Sequence, residues 1–156
     1  MRISVIIATR NRVKQLAKCL ESFNKVNYSG DWEVVVVDNN STDDTARYIK
    51  ENNSLFGFQL VYCLETTPGV ASARNSGVGK SRGEILVFTD DDCYPEVDYL
   101  DQVDHFFDSQ PEVGFGGGRV LLYDPTDLPL TLQEKNISKQ LNPGSFLVSG
   151  TIHGAN

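Results

Sequence analysis

The sequence is short of basic residues, has few cysteines and lacks a long apolar run. Its 14 Lys and Arg residues against 21 Asp and Glu residues give a formal net charge of −7. This balance argues against general nucleic-acid binding, which depends on a basic surface that displaces counterions. The first apolar run, residues 3–8, is too short for a signal peptide or a membrane span. Cys19, Cys63 and Cys93 are odd in number and lack metal-ligand spacing, which indicates reduced thiols in the cytoplasm.

The length and composition predict a single globular domain over residues 1–156. Hydrophobic residues make up 40% and charged residues 22% of the chain, both ordinary for such a domain. A chain of this length buries about two-thirds of its unfolded surface. We find no internal repeat, low-complexity tract or second domain boundary in the sequence.

Apolar runs alternate with helical patterns along the chain, and they predict the fold class. Near-continuous apolar strands separated by helices indicate a mostly parallel sheet that is covered on both faces. The expected fold is therefore α/β, with three layers in the order helix, sheet, helix. The predicted strands cover residues 3–8, 33–37, 60–63, 84–89 and 114–122, and the helical patterns cover 13–23, a segment that starts at 41–44, 70–78 and a segment that starts at Pro95. We expect a hydroxyl of Ser41 or Thr42 to cap the second of these helices, and Pro95 to lie in the first turn of the last one.

Three polar residues follow the ends of predicted strands. Thr9, Asp38 and Asp90 are far apart in the sequence, but each comes directly after an apolar run. In open parallel sheets the ligand crevice lies outside the carboxyl ends of the strands. We therefore expect these three residues to share one rim of the sheet and to form part of a functional site.

Asp90, Asp91 and Asp92 form the densest acidic cluster of the chain. Adjacent carboxylates repel one another, and each loses hydration when it is buried. A hard divalent cation such as Mg²⁺ or Mn²⁺ prefers oxygen ligands and would offset both effects. The alternative is a solvated acidic turn without a ligand.

The polar residues around this rim can be combined into a nucleotide-diphosphate site. Asp38 can accept a hydrogen bond from a nucleobase, and Asp90 can accept bonds from ribose hydroxyls. Asp92 can hold a metal that bridges the diphosphate, and Arg74 can add a phosphate contact. Read singly, Asp38 can equally be a turn residue and Arg74 a solvated charge. A phosphate-binding P-loop ending at residues 79–81 is not supported, because Arg74 stands where that motif requires glycine.

Six segments of the chain resemble the inverting family-2-type glycosyltransferases with a GT-A fold. The resemblance implies a nucleotide-diphosphate sugar as donor, with a UDP-sugar favoured, and Mn²⁺ or Mg²⁺ as cofactor. It implies a carbohydrate or lipid-linked acceptor, as in the synthesis of cell-surface polysaccharide. The segments occur in the family's order and are SVIIATRNR, VVVVDNNSTDDT, PGVASARNSG, FTDDDCYP, GGGRV and GTIHGAN.

The same resemblance implies roles for residues of the donor site. Thr9 and Asn11 match the loop beneath the base, and Asp38 matches the acid that contacts the base. Arg74 matches the arginine of the family's ARNxG segment near the donor. Asn–Asn at 39–40 replaces the Asp–Gly of many relatives, but the principal acid is retained.

The resemblance also assigns the metal site. Asp90 and Asp92 match the outer acids of the family's DXD motif, and Asp92 is the first expected metal ligand. Asp91 can exchange roles with either neighbour, because three consecutive aspartates leave the register of the motif open.

The catalytic base is not identified by the sequence. Inversion needs a base that deprotonates the acceptor hydroxyl, and relatives supply it downstream of the segment that matches GTIHGAN. None of the 21 acids fits that role, so the base is expected beyond Asn156. We therefore expect a catalytic domain truncated at its C-terminus, which binds donor without turnover. Its expected location is the cytoplasm, either free or peripheral to the inner face of the membrane through segments outside this chain.

Two other functions remain open from the sequence. The first is a non-catalytic nucleotide-sugar-binding module, which turnover would exclude. The second is a nucleotidyltransferase, which would release pyrophosphate instead of a nucleoside diphosphate. That class requires a glycine-rich basic loop after the first strand, and residues 8–11 contain no glycine.

Overall fold

The computed structural model describes residues 1–126, in which strands and helices alternate as predicted. The chain divides into two compact units, residues 1–111 and residues 112–156, and all regular elements of the described part lie in the first. A short 3₁₀ turn, Asn53–Leu55, follows the second helix. The strands are β1 (Ile3–Thr9), β2 (Trp32–Asp38), β3 (Gln59–Leu64) and β4 (Ile85–Asp90), and the helices are α1 (Val13–Phe23), α2 (Thr45–Asn52), α3 (Val70–Lys80) and α4 (Tyr99–Ser109).

The four strands form one parallel sheet in the order β3-β2-β1-β4. β1 and β2 are the central strands and are almost entirely buried, which explains their continuous apolar sequences. Because all four strands are parallel, their carboxyl ends lie along the same edge. Within residues 1–126, every helix falls short of the length and apolar character that a membrane span needs.

Alternate residues of the strands face two separate apolar clusters. Ile3, Val5 and Ile7 of β1 pack in the larger cluster, which also contains buried residues of α1, α2 and α4. Ile6 lies in the smaller cluster beneath α3, together with Ala73. Helices therefore cover both faces of the sheet, which confirms the predicted three layers. Burying each large apolar side chain contributes about 1.5–3 kcal/mol relative to its exposure.

Helix α3 lies close to the centre of the sheet because of a glycine. A Cβ atom at Gly77 would lie 2.5 Å from Cγ2 of Ile6 and 3.1 Å from Cγ2 of Val37. Only a residue without a side chain allows this approach. The close contact determines how near the sheet the rest of α3, including Arg74, is held.

A buried carboxylate anchors the edge of the sheet opposite to the carboxyl ends. Glu33 is 0% exposed and accepts hydrogen bonds from Oγ of Ser4 (2.7 Å) and from the backbone N–H of Arg82 (2.8 Å). Its second oxygen forms an ion pair with the Arg82 guanidinium at 2.9 Å. Burial opposes the ionised form of Glu33, but these partners outweigh it and lower its pKa. The network joins β1, β2 and the turn before β4.

Three local sequence predictions are wrong. The segment 114–122 is not a strand, since it contains only an isolated bridge at Val120. Its three consecutive glycines have no side chains to pack and lose much conformational entropy in a strand. Helix α4 begins at Tyr99, so Pro95 lies before its first turn. Helix α2 begins at Thr45 without a hydroxyl cap, and Asp43 instead accepts the Thr45 N–H at 3.1 Å.

Candidate functional site

The carboxyl ends of β1, β2 and β4 bring the predicted polar residues to one rim. Thr9 pairs with Asp38 across β1 and β2, and Ala8 pairs with Asp90 across β1 and β4. Asp38 and Asp90 therefore lie on opposite sides of β1, about 10 Å apart at two strand spacings. The topology places these residues together as the sequence predicts.

Asp91 is the most buried member of the acidic cluster, with 3% of its surface exposed. Its Oδ2 accepts a hydrogen bond from the Thr9 hydroxyl at 2.6 Å, and its Oδ1 lies 2.9 Å from Nη1 of Arg12. Burial raises the pKa of Asp91, and the Thr9 and Arg12 contacts oppose that rise. Thr9 thus holds the acidic turn through its hydroxyl, in addition to lying at the strand end.

Arg12 is a site residue that the sequence analysis missed. Its Nη2 donates to Oδ2 of Asp92 at 2.6 Å, so one guanidinium contacts two acids of the cluster. The sequence contained one signal for this role, which is that Arg12 lies three residues after the end of β1. A basic residue there shares the rim with the aspartates that follow β4.

Asp90 has one oxygen in an ion pair and one without a partner. Its Oδ1 lies 3.0 Å from Nη2 of Arg74, so α3 brings this arginine to the rim. Its Oδ2 is buried and has no hydrogen-bond partner among the described residues. Burial raises the pKa of Asp90, Arg74 opposes the rise, and the neighbouring acids Asp91 and Asp92 add to it. The Asp90 carboxylate therefore lacks part of the compensation that a buried charge requires.

These carboxylates fit a hard divalent cation whose coordination is completed by a substrate. Among residues 1–126, no three His, Cys, Asp or Glu side chains gather into a metal centre. Mg²⁺ is usually held by only one or two protein carboxylates together with phosphate oxygens and water. If such a cation is bound at this rim, the unpartnered oxygen of Asp90 and the partly exposed side chain of Asp92 are the carboxylates that would hold it.

Asp38 is 2% exposed, and both of its carboxylate oxygens are engaged. Oδ1 accepts the backbone N–H of Ser41 at 2.8 Å, and Oδ2 accepts the hydroxyl of Tyr62 at 3.0 Å. Burial and the bond to Asp38 raise the pKa of Tyr62 to about 12, so this hydroxyl remains a donor at neutral pH. Each carboxylate oxygen can accept a second bond, so Asp38 is an oriented acceptor as well as a turn residue. Tyr62 was not predicted as a site residue, because it lies 24 residues from Asp38 in the chain.

Asn11 connects the loops that follow β1 and β2. Its backbone has a φ of +54°, its N–H donates to Oγ of Ser41 at 2.9 Å, and its Oδ1 accepts the N–H of Thr42 at 2.6 Å. Asparagine tolerates this left-handed conformation better than most residues. In this structure Asn11 shapes the rim and does not contact the acidic cluster through these bonds.

Asn39 connects the end of β2 to the loop before α3. Its Nδ2 donates to the carbonyls of Glu65 (3.0 Å) and Thr67 (2.7 Å), and its Oδ1 accepts the N–H of Gly69 (2.9 Å). An ionised aspartate has no donor and could not make the first two bonds. The asparagine therefore has a structural role here, and it holds the segment that leads to Arg74.

Comparison with known proteins assigns the family. Residues 4–149 match the family described as Glycosyl transferase family 2. The chain is 33% identical over 101 residues to the glycosyltransferase AglE of Haloferax volcanii, and the match covers 64% of this chain and 33% of that protein. It is 32% identical over 146 residues to a PGL/p-HBAD biosynthesis glycosyltransferase of Mycobacterium tuberculosis, covering 88% of this chain and 56% of the relative.

Two solved structures show the same fold. TarS 1–349 of S. aureus in complex with UDP-GlcNAc has a TM-score of 0.60 and 29% identity, over 71% of this chain and 32% of that one. The mannosyltransferase PcManGT of Pyrobaculum calidifontis, in complex with GDP-Man and Mn²⁺, has a TM-score of 0.61 and 33% identity, over 66% of this chain and 31% of that one. These likenesses confirm the predicted α/β GT-A fold. Since the family match also includes the whole rim, the chain belongs to glycosyl transferase family 2.

Proposed function

We propose that this chain binds a nucleotide-diphosphate sugar, with a UDP-sugar favoured, for transfer of the sugar to an acceptor hydroxyl with inversion. The observation that carries the proposal is the Asp90 carboxylate at the rim. One of its oxygens is paired with Arg74, and the other is buried without a hydrogen-bond partner in residues 1–126. This arrangement suits a ligand that brings a cation and phosphate oxygens together.

Each rim residue has a distinct role in the proposed donor site. Asp38, oriented by its two donors, accepts a hydrogen bond from the base. Asp90 accepts from the ribose or contributes to the cation site, Asp92 is the principal cation ligand, and Arg74 places positive charge beside them. When bound, Mn²⁺ or Mg²⁺ would stabilise the negative charge that develops on the departing nucleoside diphosphate.

The structures of relatives support the donor and cofactor classes. TarS was solved with UDP-GlcNAc, and PcManGT with GDP-Man and Mn²⁺. We propose a carbohydrate or lipid-linked acceptor, and the name of TarS as a poly(ribitol-phosphate) β-N-acetylglucosaminyltransferase supports the first of these. None of the rim carboxylates is assigned as the base, because the described contacts hold Asp38, Asp90 and Asp91 in other roles.

The proposal is tested by calorimetric titration of the chain with UDP, GDP, dTDP and CDP, each with Mn²⁺ and with EDTA. We expect one nucleotide to bind preferentially, and its affinity to fall at least about tenfold in EDTA, the result of losing a cation that bridges protein and diphosphate. A chain that shows a cooperative thermal transition but binds none of the four nucleotides would contradict the proposal.

Replacing Tyr62 by phenylalanine is expected to weaken discrimination between bases. The variant loses the hydroxyl that fixes Oδ2 of Asp38, so that carboxylate can rotate. We expect the ratio of UDP to GDP affinity to fall about two- to tenfold, as for the loss of one hydrogen bond. Tyr48→Phe is the matched control, because Tyr48 packs against the core from α2. An unchanged ratio in Tyr62→Phe would show that Tyr62 does not orient the base-reading acid.

A further inference from the structure

The Arg12 guanidinium lies across two acids of the cluster through two different nitrogens. Nη1 is 2.9 Å from Oδ1 of Asp91, and Nη2 is 2.6 Å from Oδ2 of Asp92. The three side chains differ in burial: Arg12 is 42% exposed and Asp92 is 37% exposed, whereas Asp91 is 4% exposed. Arg12 therefore reaches from the solvent side of the rim onto one buried and one accessible carboxylate.

Breaking the Arg12–Asp91 contact has a larger effect than breaking the Arg12–Asp92 contact, because the two carboxylates differ in burial. Asp91 is buried, so its charge needs the Arg12 partner in every state of the protein. Asp92 is accessible to solvent, so replacing Arg12 by another positive group at Asp92 changes the free energy only slightly. The fork of the guanidinium allows Nη1 to stay on Asp91 while Nη2 leaves Asp92.

We infer that Arg12 is an internal counter-ion that occupies Asp92 until a divalent cation arrives together with a diphosphate. The inference rests on the proposed function and adds Arg12 to the residues that take part in donor binding. When a cation is bound, Asp92 would hold it, and the released Nη2 of Arg12 would donate to a phosphate oxygen. The cation alone offers Nη2 no new acceptor, and the diphosphate alone leaves Asp92 occupied. Cation and nucleotide must therefore bind cooperatively.

This coupling is measurable as a difference in Mn²⁺ affinity. Without nucleotide, Mn²⁺ has to compete with Arg12 for Asp92, so wild-type protein should bind it weakly. Removing Arg12 ends the competition and also removes the new phosphate contact. Linkage then requires that Mn²⁺ and UDP increase each other's affinity by a smaller factor in the variant than in the wild type.

The experiment uses Mn²⁺ itself as the probe, with free Mn²⁺ counted by electron paramagnetic resonance. We expect Arg12→Ala to bind Mn²⁺ without nucleotide about tenfold more tightly than wild type, and the coupling between Mn²⁺ and UDP to fall by about the same factor. Arg10→Ala is the matched control, because it removes the same charge from the same exposed loop. Its Mn²⁺ affinity should change less than about twofold, as expected for a screened surface charge.

Several results would overturn the inference. Unchanged Mn²⁺ affinity in Arg12→Ala would do so while the proposed function stands, provided that wild-type protein binds UDP with Mn²⁺. An equal rise in Arg10→Ala would show that only the overall charge matters. If wild-type protein binds neither Mn²⁺ nor UDP, both the inference and the proposed function fail.

A second variant keeps the test decisive if Arg12→Ala does not fold. Arg12→Lys retains one positive charge for Asp91, but a compact ammonium cannot contact both carboxylates with the same fork geometry. We expect its affinity for Mn²⁺ alone to rise about two- to fivefold, within the range of a weakened charge pair. A folded Arg12→Lys protein with wild-type Mn²⁺ affinity and wild-type coupling would overturn the inference.

Discussion

Replacing Asp90 by asparagine is expected to lower the Mn²⁺-dependent affinity for the preferred nucleoside diphosphate by at least about a hundredfold, or about 3 kcal/mol. The substitution removes the charge that faces Arg74 on one side. On the other side it removes the capacity of the buried, unpartnered oxygen to hold a cation. Loss of one partner from a buried charge pair has effects of this size.

The same variant should keep its stability. Burial raises the pKa of Asp90, so the folded protein disfavours the ionised form of this side chain. Asparagine removes this unfavourable burial of charge, which offsets the loss of the ion pair with Arg74, so the thermal midpoint should change little. Asp101→Asn, on the exposed surface of α4, removes the same charge and should leave nucleotide affinity unchanged. Equal affinity in Asp90→Asn and wild type, with Mn²⁺ present, would move the metal site away from Asp90.

Replacing Glu33 by alanine is expected to destabilise the protein by about 3–5 kcal/mol, as for breaking other buried charge pairs. The side chain is fully buried and joins Ser4 of β1 to the backbone and guanidinium of Arg82. Alanine removes the acceptor of the Ser4 hydroxyl and the nearer of the two acceptors of the Arg82 N–H, which keeps only Oγ of Ser4 at 3.2 Å, and it opens a cavity beside them. Equilibrium unfolding in urea measures the difference in unfolding free energy at pH 7.

The pH dependence provides an independent check on Glu33. Its pKa is lowered in the folded protein, so its contribution is fully present above the unfolded glutamate pKa of about 4.3. The contribution of the charge is lost as the pH falls through the lower folded pKa, so the stability difference between wild type and Glu33→Ala should narrow in acid to the part that comes from the cavity. The control is Glu84→Ala, which removes an exposed surface ion pair with Arg2 and should change stability by less than about 1 kcal/mol. A Glu33→Ala effect as small as that control would refute the anchoring role.

Much of the fold could be predicted because the strands are buried on both faces. β1 and β2 must be apolar along nearly their whole length, so their sequences mark them clearly. The start of α4 could not be predicted in the same way. Pro95 is compatible with a first helical turn, but the carbonyl of Val97 accepts the Asn27 N–H at 2.7 Å, which fastens this segment to the loop after α1. That tertiary contact outweighs the local preference.

The candidate site was predictable only as far as topology determines it. Parallel strands bring Thr9, Asp38 and Asp90 to one edge wherever their side chains point. The roles of Arg12 and Tyr62 depend on the direction of long side chains across the rim, which hydrophobic periodicity does not encode. A pattern of residue types can therefore indicate which acids gather but not which neighbours hold them.

The loops of the rim are tied to one another by their own hydrogen bonds. Asn11 is joined to Ser41 and Thr42, and Asn39 to the segment before α3, by hydrogen bonds within residues 1–126. Ordering a flexible backbone consumes about 1–2 kcal/mol of conformational entropy per residue. The loops of this rim lose their conformational entropy during folding. A nucleotide that binds there does not have to order them, so a larger part of the free energy of its contacts appears as affinity.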